Sequence, residues 1–136
     1  MIKVNSFLNT FDIVVLAAGK GSRMKSRTVS KPMHLLNGIT LIEYLLFHLP
    51  IKYFNNKIVV VSPNYEDIQS KINNIDNKFI YAVQNNPKGT GDALFQALKN
   101  LKSKYVLVVN ADAPLITQSS YLNLMKNHEN KKLTLS

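Results

Sequence analysis

The chain has no cysteine, which excludes disulfides and thiolate metal sites and fits a reducing intracellular compartment. It has no apolar run near the ~20 residues that a membrane-spanning helix requires. Its opening residues, MIKVNSFLNTF, lack the long apolar segment of a secretory signal. A cytoplasmic protein with no membrane partner is expected. Acidic residues are scarce and arginine scarcer: Lys and Arg number 17 against 8 Asp and Glu, for a net charge of +9, yet the arginines are Arg23 and Arg27 alone. A nucleic-acid face needs clustered basic residues, usually interleaved with arginine or aromatic side chains. Here lysines are dispersed among asparagines and isoleucines, as an AT-rich genome writes on a tolerant surface. Nucleic acid is therefore not the expected partner, although the charge helps to draw in anionic nucleotides. Repeats, low-complexity tracts and linkers are absent too. At 136 residues and 46% hydrophobic composition, the chain suits one domain, residues 1–136, with a proper core.

What is present alternates strand and helix. Ile13 to Leu16 form a continuous apolar run, the pattern of a strand buried on both faces of a parallel sheet. Asn37-Gly38 marks a turn, and Leu41, Ile42, Leu45, Leu46 and Leu49 recur at helical spacing until Pro50. Lys57 to Ser62 reads as a second strand, about Tyr65 to Asn74 as a helix, and Phe79 to Val83 as a third strand. A helix follows from Thr90 or Asp92 to Leu101, with Ala93, Leu94, Ala97, Leu98 and Leu101 inward. Tyr105 to Val109 is the most continuously apolar strand and is expected at the sheet centre. A last helix is expected over Gln118 to Glu129, capped by Thr117 or Ser119 with Tyr121, Leu122 and Met125 inward. Leu133 to Leu135 is expected to begin a fifth strand. Such alternation with short loops predicts an α/β fold: three layers, α/β/α, around a Rossmann-like, mostly parallel sheet.

The first strand empties into AAGKGSRMKSRTVSKP, residues 17 to 32. Open α/β sheets bind ligands at the carboxyl ends of their strands, and Gly19 and Gly21 remove side chains that would keep a phosphate from backbone N–H groups. A glycine turn closing a strand–helix unit for steric reasons alone is the plainer reading, but Arg23 and Lys31 favour a phosphate site. The dinucleotide fingerprint fails at Met24, and the Walker A spacing fails because Gly21 follows Gly19 after a single residue. What remains, A-A-G-x-G-x-R-M followed by Lys31-Pro32, resembles the opening signature of the nucleoside-triphosphate transferases that make sugar nucleotides. LAAGKGSRMKS is most similar to the uridyltransferase domain of the bifunctional enzymes that make UDP-N-acetylglucosamine.

Two further loops follow strands at the same sheet edge. Gln84 to Ala93, QNNPKGTGDA, resembles the family phrase Q-x-x-x-x-G-T-(A/G)-x-A, which implies that Gln84, Gly89 and Thr90 read the base. An amide both donates and accepts, which suits the imide edge of uracil. A helix start in which the glycines shape a turn and Thr90 caps is compatible with that role. Asn110 to Leu115, NADAPL, resembles the family's G-D-x-P-L loop, which implies that Asp112 holds Mg²⁺; an aspartate opening a turn before proline is the plainer reading. Two departures stand out. Ala111 replaces the family's glycine, and the stretch from Arg23 to Lys31 is one residue longer than usual, with Ser30-Lys31 in place of Pro-Lys. His34 is expected to be structural, because phosphoryl transfer of this kind needs no protein base.

The resemblance implies transfer of UMP from UTP, or of another nucleotide from its triphosphate, to a sugar 1-phosphate such as N-acetylglucosamine 1-phosphate, with pyrophosphate released. Arg23 and Lys31 would be catalytic. Leu16, Ala17, Ala18, Gly19, Gly21, Ser22, Gln84, Gly89, Thr90 and Asn110 would bind the nucleotide, and Asp112 the Mg²⁺. The resemblance covers only the amino-terminal half of the family's catalytic domain and lacks the acceptor-binding half, so a homo-oligomer or a complementing chain is expected to supply it. A catalytically incomplete nucleotide-binding remnant is the alternative, and a basic nucleic-acid binder a further one.

Overall fold

Strand β1 (Phe11–Leu16) is buried along almost its whole length, as its unbroken apolar run requires. The computed structural model describes residues 10–19 and 29–136. After β1 the described chain resumes, makes one 3-10 turn at Lys31–Met33 and a minimal antiparallel hairpin of β2 (Leu35–Leu36) and β3 (Ile39–Thr40), and enters helix α1 (Leu41–His48). Strand β4 (Lys57–Val61), helix α2 (Glu66–Asn73), strand β5 (Ile80–Val83), helix α3 (Thr90–Ala97), strand β6 (Tyr105–Asn110) and helix α4 (Gln118–Lys131) follow. The strands β5-β4-β1-β6 form one sheet in that order, and every pairing is parallel.

Side-chain alternation sorts the core into two layers. Ile13, Val15, Val59, Val61, Leu107 and Val109 face α1, α2 and α4, with Ile42, Leu45, Ile72, Tyr121 and Met125 packed on them. Val14, Ile58, Val60 and Ala82 face the other way, against Ala93 and Ala97 of α3. The expected α/β/α layering is what the strands build. The chain steps from β1 outward through β4 to β5 and then returns to place β6 on the other side of β1. The carboxyl ends of β1 and β6 therefore flank a topological switch point, where open sheets leave a crevice.

Four expectations need correction. The strand expected at the centre, β6, lies at an edge of the sheet. Its buried face is Leu107 and Val109, whereas Val108 is 39% exposed; an apolar run records valine on both faces without saying whether both are covered. Leu133 to Leu135 form no strand. Helix α4 runs on to Lys131 and stops at Lys132 in the left-handed region (φ 49°), with the Lys132 N–H donating to the Glu129 and His128 carbonyls. Leu98 is 50% exposed rather than inward, because α3 tightens after Ala97 into a 3-10 turn, Leu98–Asn100, and three residues per turn rotate it off the apolar stripe. Thr90 does not cap α3; Gly89 occupies the cap position and no side chain caps there. The turn at Asn37-Gly38 proves to be the bend of the hairpin, with φ of 51° and 82°, as a two-residue hairpin turn demands.

Candidate active site

Three loop starts converge at the carboxyl edge of the sheet because the strands beneath them are in register. Ala17 N–H donates to the Val60 carbonyl (2.8 Å), Gln84 N–H to Val61 (2.8 Å) and Ala111 N–H to Leu16 (3.0 Å). Each loop thus leaves from the same level. Between them lies a cavity of about 230 Å³, lined by Leu16 to Gly19 from β1, Lys31 and Pro32, Gln84, Pro87, Gly89, Thr90 and Ala93 around α3, and Asn110 to Asp112 from β6.

Ala17 and Ala18 are buried and Gly19 is exposed. A β-carbon built on Gly19 would meet nothing within 4 Å among the described residues, so packing against them does not require the glycine, and its lack of a side chain keeps the cavity wall clear. Pro32, in the first turn of the 3-10 segment, is buried and anchors Lys31 at the cavity. The Lys31 Nζ donates to Asp112 Oδ2 at 2.7 Å, bridging the loops after β1 and β6 across 81 positions of sequence. Both side chains are accessible, at 39% and 44% exposure.

Gln84 is 4% exposed. Its Nε2 donates to Asp92 Oδ2 at 2.6 Å and approaches the Gly89 carbonyl at 3.4 Å. Gly89 has φ 106° and ψ −180°, a region essentially closed to other residues. Ala111 is 2% exposed and is part of the core under α1, α2 and α4 as well as the cavity lining. Its methyl therefore fills space that the family's glycine would leave. His34 stands outside the lining; its Nε2 lies 3.4 Å from the Val29 carbonyl.

Of the residues singled out in the sequence, Leu16, Ala17, Ala18, Gly19, Lys31, Gln84, Gly89, Thr90, Asn110 and Asp112 all line this one cavity. Gly21, Ser22 and Arg23 lie outside the described residues. Sequence reasoning missed Pro32, Pro87 and Ala93 as wall residues and Asp92 as the partner of Gln84. Asp92 sits inside the quoted GTGDA phrase, and its spacing, two residues after Thr90 at the start of a helix, was the available signal. Among the described residues no group of three or more His, Cys, Asp and Glu stands together, and no helix is long and apolar enough to cross a membrane. A Mg²⁺ ion carried by a triphosphate takes one or two protein carboxylates and completes its shell with water and phosphate. Asp112, accessible in the cavity and already holding one cation, the Lys31 ammonium, fits such an ion; it does not make an all-protein cage.

A family model described as "MobA-like NTP transferase domain" matches residues 13–135. The chain belongs to this family. Among the curated relatives, the bifunctional protein GlmU of Acetivibrio thermocellus is 37% identical over 117 residues, covering 85% of this chain and 24% of that protein. GlmU of Oenococcus oeni is 34% identical over 123 residues, covering 90% and 27%. The chain therefore spans about a quarter of the length of these relatives. Among solved structures, HddC from Yersinia pseudotuberculosis complexed with GMP-PN superposes with a TM-score of 0.71 at 25% identity, covering 88% of this chain and 54% of that one. The 4-diphosphocytidyl-2C-methyl-D-erythritol synthase of Anaerococcus prevotii gives 0.68 at 21%, covering 90% and 53%. The resemblance read from the glycine loop is thus a family membership, and the α/β architecture is that of nucleotidyltransferases.

Proposed function

We propose that the chain binds a nucleoside triphosphate in the cavity and transfers its nucleotidyl group to a sugar 1-phosphate, with UTP and N-acetylglucosamine 1-phosphate as the leading pair. The observation that carries this reading is the Lys31–Asp112 contact: a cation and an anion from the segments that follow two different strands meet in a cavity that Gln84, Gly89 and Thr90 also line. Charged groups suited to phosphate and an amide suited to a base thus share one cavity. Similarity to GlmU proteins supports the sugar-nucleotide assignment, and cytoplasmic synthesis is the setting proposed with it.

In the proposed reaction an oxygen of the sugar phosphate attacks the α-phosphorus, the bond from that phosphorus to the bridging oxygen breaks, and pyrophosphate leaves. The nucleophile is already an anion, so the protein's task is alignment and neutralisation. The Lys31 ammonium is assigned to the α-phosphate and the incoming phosphate. To reach them it exchanges its contact with Asp112 for phosphate oxygens, which frees that carboxylate for the metal. A divalent ion, when bound, withdraws charge from the phosphates and orients them. Gly19 and the backbone of Ala17 and Ala18 leave room for the phosphate chain, and Arg23 is assigned to it by the family motif. Gln84 is assigned to the base and Asn110 to the nucleoside. A homo-oligomer or a complementing chain is proposed as a partner of this site.

The test is pyrophosphate release from UTP, N-acetylglucosamine 1-phosphate and Mg²⁺ at several protein concentrations. Steady release that falls about a hundredfold or more in Lys31→Ala supports the reading, and a more than proportional rise with concentration supports assembly. Tight UTP binding without turnover at any concentration instead establishes a binding protein at the same site.

A further inference from the structure

Asp92 has no part in the scheme above, and it does not line the cavity. It stands behind Gln84, in the first turn of α3, with its Oδ2 2.6 Å from the Gln84 amide nitrogen. The second neighbour of that nitrogen is the Gly89 carbonyl at 3.4 Å. A carboxylate and a carbonyl can only accept, so the side of the Gln84 amide that faces them is the NH₂. The flipped amide would set its oxygen against two acceptors in a site where the side chain is 4% exposed. That arrangement is strongly unfavourable. The Gln84 backbone is pinned as well, by its N–H on the Val61 carbonyl, so the side chain cannot escape by shifting along the sheet edge. With both amide hydrogens directed at protein acceptors, the group left to meet a ligand in the cavity is the carbonyl oxygen, Oε1.

An amide is ambiguous by nature, and Asp92 removes the ambiguity. Next to this acceptor are Gly89 and Thr90, also on the cavity wall. The first-turn N–H groups of a helix have no partner within it, and no side chain caps α3. An acceptor beside donors complements a base edge that carries a ring N–H next to a carbonyl. Uracil, thymine and guanine present that edge. Cytosine and adenine present a ring nitrogen lone pair next to an amino group, which would turn acceptor to acceptor and donor to donor.

We infer that Asp92 is a specificity-setting positioning residue, which locks the Gln84 amide with its oxygen towards the cleft and so selects nucleotides whose base has a keto–NH edge over those with an amino edge. This rests on the nucleotide-binding reading of the cavity. It goes beyond that reading by assigning base choice to a residue that does not touch the ligand.

The experiment is calorimetric titration of the full chain with UTP, GTP, CTP and ATP, each with Mg²⁺, for the wild type, Asp92→Asn, Gln84→Leu and the double variant. One inverted hydrogen-bond pair should give the wild type a preference of about tenfold or more for UTP and GTP over CTP and ATP. Asp92→Asn can both donate and accept, so the Gln84 amide can turn, and the preference should shrink to within about threefold. In the Gln84→Leu background the same change should alter nothing further. Asp92→Glu, which keeps an acceptor, is the rescue and guards against a fold effect. A merely structural Asp92, favourable to the helix N-terminus, would change thermal stability and leave the base ratio where it was. That result, or a wild type that prefers CTP or ATP, overturns the inference while the nucleotide site stands. Absence of binding by all four triphosphates overturns the nucleotide site and this inference with it.

Discussion

Asp12 ties together the end of the sheet opposite the cleft. Its carboxylate is fully buried and accepts hydrogen bonds from the Asn56 N–H and side-chain amide, the Lys102 and Ser103 N–H groups, and the Ser103 hydroxyl. Burial opposes its ionisation, and those donors from Ser103, Lys102 and Asn56 outweigh burial, holding the pKa below the ordinary aspartate value. A lowered folded-state pKa stabilises the fold above the unfolded-state value and loses that contribution as pH falls through the folded one. Asp12→Asn places an NH₂ among these donors and should cost about 2–4 kcal/mol in urea unfolding at neutral pH. The gap from wild type should close as the pH is taken below about 4. An unchanged urea midpoint at neutral pH would contradict this account. The two glycines of the cavity wall should separate cleanly. Gly19→Ala adds a methyl that meets none of the described residues, so stability should stay within about 0.5 kcal/mol while UTP affinity drops, by the proposed function. Gly89→Ala also meets none of the described residues, but φ 106° makes it strained. It should lose about 1–3 kcal/mol in the same unfolding assay.

At the scale of elements, α1 shows how far local sequence reaches. Thr40 and Glu43 form a reciprocal capping box: Thr40 Oγ1 accepts from the Glu43 N–H and the Glu43 carboxylate accepts from the Thr40 N–H. The Thr40 hydroxyl also donates to Glu43, and this bond leads in holding the glutamate pKa down. Thr40→Ala should cost about 1 kcal/mol, measurable as a shift in thermal midpoint. The helices were legible because apolar spacing and caps are local properties: α1 and α2 fall within a residue or two of where periodicity puts them. The hairpin of β2 and β3 was not, since two-residue strands carry no period; only the Asn-Gly turn between them was visible. The edge position of β6 was also illegible. Strand order is set by which neighbour covers a face, and Val108 reads the same in a sequence whether or not it is covered. The site was unusually legible. Leu16 to Gly19, Gln84 and Asp112 sit at strand exits, and parallel strands bring all exits to one edge. Pro87 and Ala93 were missed because they join the wall through the path of a loop, and Asp92 because its significance lies in a contact with Gln84.

At the scale of the whole molecule, β1 is paired on both sides, with β4 and β6, and shielded on both faces, with Ile13, Val14 and Val15 at 0% exposure. One end carries the Asp12 cluster and the other becomes the floor of the cleft. Backbone amides in such a strand have no local route to solvent, and their hydrogen exchange requires global opening. The N–H groups of Val14 and Val15 should therefore be among the last to exchange with deuterium, at rates that track the urea-derived stability, whereas those of Asn85, Asn86 and Lys88, in an exposed loop, should exchange early. If the cavity holds a triphosphate, saturating UTP at about a hundredfold over its dissociation constant should slow the β1 amides by about the same hundredfold, equivalent to ~2.7 kcal/mol. Deuterium uptake in the middle of this one strand would then report occupancy of the cleft, although neither Val14 nor Val15 lines it.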